Sequence, residues 1–287
     1  MKPRSIPLPA LALVAITAVW GSTFFMIKEA VASIPPLDFL GARFAIAAGA
    51  VLLVRGRVLA RCSRRTWRRG LAAGAVFASA QVCQTFGLQR ADASVSGFIT
   101  GMYVVLTPVL LFLVFRRRTP RRVWVATALA ALGLSVLSLD GLSVGLGEAL
   151  TFCAALLYAV HIVLLDRWAG REKGIDLAGI QVLAIGAICG TASLFGGVVL
   201  PSGAGGWIAL LYMALVAGLL ALVVQTWAQG RIPAGSAAVI MTTEPVFAAF
   251  FAILFGGEAL TWRLALGGAM VLSAMLLVEA GPAGSGD

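Results

Sequence analysis

Ten stretches of roughly twenty mostly apolar residues, each long enough to cross a hydrocarbon core as a helix, follow one another along this chain of 287 residues. Cut at charges, Pro and Gly, they fall at 9–29, 36–54, 70–89, 94–115, 123–140, 148–166, 176–199, 207–227, 234–255 and 262–279. Hydrophobic residues make up 60% of the chain and charged ones only 12%. A soluble domain carries about twice that share of charge, so too little remains here to clothe a water-facing surface. The sequence therefore predicts an all-α integral membrane protein of about ten transmembrane helices. Its first run, from about Pro9, is too long for a signal-peptide core and is followed by further spans, so it is read as a retained helix.

The placement of charge gives the orientation. The net charge of +10 could suggest nucleic-acid binding. The basic residues instead sit in short clusters between apolar runs, without the continuous phosphate-tracking face that such binding needs. With the amino terminus inside, 18 of the 22 Lys and Arg fall on the cytoplasmic side, including seven Arg between 55 and 69 and five between 116 and 122. Only Arg90 and Arg263 fall outside, while Lys28 and Arg43 lie within spans, Lys28 near enough to an end to snorkel. That asymmetry is the positive-inside rule. It predicts a multi-pass protein of the inner (plasma) membrane with both termini cytoplasmic and the lipid bilayer as its surroundings. The four cysteines have no CxxC spacing and no nearby His, and read as small apolar filler.

Ten spans divide into two sets of five, and because five is odd the second set enters the membrane in the opposite sense. Inverted repeats of this kind are a recurrent transporter plan, with the site near mid-membrane. The halves are 1–145 and 146–287. At an offset of 138 Trp20 falls on Tyr158 and Arg43 on Gln181, and at 137 Pro108 falls on Pro245. Trp20-Gly21-Ser22-Thr23-Phe24 with Lys28, Pro36 followed by Arg43, Gly147-Glu148, and Glu244-Pro245 followed by Gly257-Glu258-Ala259-Leu260-Thr261 occur in that order. Together they resemble the motifs of the EamA-type transporters of the drug/metabolite transporter superfamily, over nearly the whole chain. The resemblance implies a ten-helix carrier of two five-helix repeats that moves amino acids, metabolites or drugs, mostly outward in bacteria. It departs in the first half, where the basic residues 116–118 stand in place of Gly257-Glu258.

Polar groups inside spans are costly and mark candidate sites. Glu244 lies about 15 Å into its helix and precedes Pro245, which removes a backbone donor and frees a carbonyl. Thr107-Pro108 holds the matching place in the first half, so Pro108 and Pro245 are expected as paired helix breaks. Glu244 could carry a coupling proton, recognise a substrate ammonium, or only hydrogen-bond the kinked helix. Arg43, about 10 Å deep, must find an acceptor, either in the protein or in a substrate carboxylate. Trp20 and Tyr158 sit about 15–16 Å deep, whereas membrane aromatics usually gather at the interfaces. His161 follows Tyr158 on the same helical face. Gln81 and Gln84 share a stripe of the third span, Tyr103 lies in the fourth, and Thr23 lies one turn beyond Trp20. Together these side chains would line an apolar and aromatic cavity with a few hydrogen-bonding groups.

No HExxH, metal-spaced cluster or phosphate-cradling loop occurs, and the chain has one His. No enzyme activity, metal or cofactor is expected. The expected function is secondary-active export of apolar or aromatic amino acids, or similar small metabolites, by alternating access. The alternative is a multidrug or organic-cation exporter.

Overall fold

The computed structural model describes residues 8–115, 121–140, 143–170, 172–194, 198–232, 237, 240–241 and 243–279. The 116–118 run, Thr242, the start of the ninth span and both chain ends lie outside the described residues. The first repeat contains α1 (Leu8–Ala30), α2 (Pro36–Leu59), α3 (Arg64–Leu88), α4 (Ala93–Gly101), α5 (Tyr103–Phe115) and α6 (Arg121–Ser138). The second contains α7 (Leu146–Trp168), α8 (Gly174–Ser193), α9 (Ala204–Leu211), a π-helical stretch Tyr212–Leu220, α10 (Ala221–Gln229), α11 (Glu244–Leu254) and α12 (Trp262–Glu279). A two-residue antiparallel ribbon, Leu139–Asp140 with Ser143–Val144, joins the halves.

Helix ends follow local chemistry. Pro36 opens α2 at a position where its missing N–H is not needed. The Ser63 hydroxyl caps α3 by accepting from the Thr66 amide at 3.1 Å. The Gly257-Glu258-Ala259-Leu260-Thr261 motif does three jobs in one turn. Gly257 adopts φ 69°, the left-handed conformation that glycine tolerates. Thr261 Oγ1 accepts from the Leu264 amide at 3.1 Å and starts α12. Glu258 reaches across to α4 and accepts from the Ala93 amide at 2.6 Å, the Ser94 amide at 3.1 Å and the Ser94 hydroxyl. Lys28 does not simply snorkel. Its ammonium pairs with Asp92 at 2.6 Å and approaches Glu258 at 3.6 Å, tying α1 to the same corner.

The helices pack in mirrored pairs. α2 lies along α8 and α6 along α12, each pair joining equivalent spans of the two halves. The α3–α7 contact is matched by α10 against α1, and α7 against α4 and α5 is matched by α1 against α11. These are the contacts of two five-helix repeats related by an inverted axis. Small residues allow the close crossings. A Cβ at Gly21 would come within 2.8 Å of the Ala248 backbone nitrogen of α11.

Polarity is inverted relative to a soluble fold. Arg43, Gln81, Gln84, Gln181, Gln225 and Glu244 are buried, whereas Leu53 is 89% and Val54 81% exposed. Such an apolar exterior belongs in lipid. Seven helical stretches among the described residues are long and apolar enough to span, and Glu244–Leu254 and Trp262–Ala274 are shorter apolar helices.

Candidate functional site

Three irregularities in the helices converge. The first lies between α4 and α5 at Met102, rather than at Pro108, which stands inside α5. A helical proline strains the turn before it, because its ring opposes the carbonyl four residues back. The opening at Met102 lies a further two residues toward the amino terminus than that carbonyl, and Thr107 Oγ1 donates to the Tyr103 carbonyl at 2.7 Å. The second irregularity is the start of α11, where Glu244 and Pro245 occupy the first positions after a turn at Thr243. The third is the π-helical stretch Tyr212–Leu220. Its wider turns present carbonyls sideways to donors from other helices. Trp20 Nε1 donates to the Ala217 carbonyl at 2.9 Å, and Arg43 Nε to the Met213 carbonyl at 2.9 Å.

The two breaks meet. Tyr103, the first residue of α5, donates its hydroxyl to Glu244 Oε2 at 2.8 Å and lies 3.1 Å from the Met241 carbonyl. Glu244 sits at the amino terminus of α11, where the aligned peptide dipoles favour an anion. A buried carboxylate is thus held by one phenol and one helix end.

A chain of side-chain hydrogen bonds runs through the first repeat and into the second. Arg43 has only donors, so Gln81 must turn Oε1 toward it, at 3.2 Å. The Gln81 amide nitrogen is thereby aimed at the Tyr158 hydroxyl. That hydroxyl donates to Gln84 Oε1 at 3.0 Å, and Gln84 Nε2 donates to Thr100 Oγ1 at 3.2 Å. One fixed cation therefore sets the direction of every bond in the series, and no amide can flip without leaving a buried group unpaired. The Arg43 guanidinium also stands 5.0 Å from the Phe44 ring centre.

Trp20, Thr23, Arg43, Gln81, Gln84, Tyr103, Tyr158, His161 and Glu244 all border one cavity between the repeats. Neither Pro108 nor Pro245 borders it. Phe77 packs edge-on to Tyr158 and His161, with ring centres 5.5 and 5.0 Å away. Sequence reasoning missed Phe77, Thr100 and Gln225, which also line the cavity. Phe77 is one apolar residue among many. Thr100 precedes Tyr103 by one helical turn, a spacing that could have revealed it. Gln225 stands two residues from the end of the apolar run 207–227, and α10 continues to Gln229.

An inverted pair of five-helix repeats around a buried, partly charged cavity defines the carrier class of membrane protein. The model of the EamA-like transporter family matches residues 8–139 and again 145–280, and the chain belongs to that family. An "Uncharacterized transporter" of Archaeoglobus fulgidus is 30% identical over 271 residues, 94% of this chain and 84% of that protein. The "Uncharacterized inner membrane transporter YedA" of Escherichia coli K12 is 29% identical over 284 residues, 94% of this chain and 90% of its own. A solved crystal structure has the same fold, with a TM-score of 0.68 at 19% identity over 93% of this chain and 95% of the other.

Proposed function

We propose that this chain is a secondary-active carrier of the inner membrane that exports amino acids with apolar or aromatic side chains, or closely similar small metabolites. The units 1–145 and 146–287 move about the cavity between them in alternating access. The single observation that carries this reading is that one guanidinium and one carboxyl group border the same cavity. Arg43 and Glu244 are 3% and 6% exposed and both face that space. No salt bridge joins them among the described residues, for Arg43 is held by Met213 and Gln81 and Glu244 by Tyr103. A zwitterion matches both, with its carboxylate on the guanidinium and its ammonium on the carboxylate. The surrounding Trp20, Phe24, Phe77 and Ile162 suit an apolar or aromatic side chain.

A multidrug or organic-cation exporter would use Glu244 and the aromatic walls but would leave buried Arg43 facing a cation. Proteoliposomes loaded with a mixed amino-acid panel separate the two. Efflux of an apolar or aromatic amino acid, inhibited by other amino acids and not by quaternary amines, is expected. Inhibition by quaternary amines alone would favour the organic-cation reading. The names of the relatives above support inner-membrane placement, and the basic residues support cytoplasmic termini.

A further inference from the structure

Gln225 differs from its polar neighbours in the cavity. Arg43, Gln81, Gln84, Thr100, Tyr103 and Tyr158 each have hydrogen-bond partners within the protein. Gln225 also borders the cavity and is 3% exposed, yet its Oε1 is buried without a donor. The adjacent Thr226 cannot supply one. Its hydroxyl donates to the Leu222 carbonyl at 2.8 Å and faces Gln181 Nε2 at 3.5 Å. Gln181 points its other end, Oε1, at His161 Nε2 at 2.7 Å. A buried acceptor without a donor is unfavourable, and a ligand that brings the donor relieves it. Apolar and aromatic residues, among them Phe24, Phe77 and Ile162, line the same cavity.

We infer that Gln225 is a specificity-determining residue whose amide accepts a hydrogen bond from the ring N–H or O–H of an aromatic amino-acid side chain. The carrier then discriminates in favour of tryptophan and tyrosine over ring analogues that lack the donor. This rests on the amino-acid reading of the cavity and narrows it. Sites built to hydrogen-bond a substrate N–H or O–H reject the analogue without it far more strongly than apolar pockets reject a missing methylene.

The test uses the full-length protein in proteoliposomes and compares tryptophan with 1-methyltryptophan and tyrosine with phenylalanine. In the first pair the analogue lacking the donor is larger, and in the second it is smaller, so steric fit alone cannot favour the donor in both. Apparent affinities higher by about tenfold or more for tryptophan and tyrosine are expected. Gln225→Leu should abolish both preferences, bringing tryptophan and tyrosine to the affinities of 1-methyltryptophan and phenylalanine. Its thermal stability should equal or exceed the parent's, because the substitution removes an unpaired buried group. Equal affinities within both pairs in the parent protein would overturn the inference whatever the variant does, as would preferences that survive Gln225→Leu. In either case continued amino-acid transport leaves the proposed function standing. Absence of transport for every amino acid would instead remove that reading, and this inference with it.

Discussion

At Tyr158 of α7 a single hydroxyl continues a series of bonds whose direction is set by Arg43 of α2, with Gln81 of α3 between them. It receives the Gln81 amide and donates to Gln84. Removing it leaves Gln81 Nε2 and Gln84 Oε1 with only their long 3.5 Å contact to each other, and a buried polar group left poorly paired costs about 1–3 kcal/mol. Tyr158→Phe, which keeps the ring, should therefore lower the thermal unfolding temperature of the purified protein. Trp20→Ala and Tyr158→Ala should each weaken substrate affinity while leaving folded protein in the membrane, with about 0.5–1.5 kcal/mol lost beyond area terms where a ring faces the substrate. Unchanged apparent affinity in both variants would restrict these rings to packing. The identity of these residues was legible in the sequence because polar and aromatic side chains at mid-membrane depth are conspicuous against an apolar background. Their partners were not. That Arg43 uses a carbonyl of the π-helical stretch depends on a local widening that no Pro within 212–220 announces.

Among the elements, spans and their order follow directly from the ten apolar runs, but the position of a break does not. Pro108 stands inside α5, and the opening lies six residues before it, at Met102. Lys28 looked free to reach water, and only the folded corner brings Asp92 and Glu258 to it. The same corner explains the Gly257-Glu258-Ala259-Leu260-Thr261 motif as a turn, a cap for a distant helix and a cap for the next one. Gly21→Ala tests the close crossing of α1 and α11. Its Cβ would lie within 3.0 Å of backbone atoms of Phe247 and Ala248, which cannot withdraw as a side chain can. A loss of about 1–3 kcal/mol in stability is expected from this overpacking, read as a lower unfolding temperature in detergent. A stability equal to the parent's would show that the two helices part freely.

For the whole molecule, the mirrored packing of α2 with α8, α6 with α12, and the crossed pairs between them describes two equivalent halves around one cavity. The proposed orientation places the loop containing Ser63 in the cytoplasm. A cysteine placed there, in a background lacking the four native cysteines, should resist impermeant thiol reagents in intact cells and react once the membrane is opened; labelling in intact cells would reverse the orientation. The proposed cavity chemistry makes a further demand on Glu244. Glu244→Gln keeps its size and its bond from Tyr103 but removes its charge. The variant should lose affinity for amine-bearing substrates at every pH if the charge is the recognition element. If the proton is the coupled ion, it should exchange substrate at equal pH without responding to a gradient. The most direct measurement is proteoliposome transport of an aromatic amino acid challenged with two analogues, one lacking the carboxylate and one lacking the amine, in the parent protein and in Arg43→Gln and Glu244→Gln. The predicted result is strong inhibition of the parent by the intact amino acid alone, with Arg43→Gln losing its preference for the carboxylate and Glu244→Gln its preference for the amine. Equal inhibition of the parent by all three compounds, or preferences untouched by either substitution, would contradict a zwitterion held between Arg43 and Glu244.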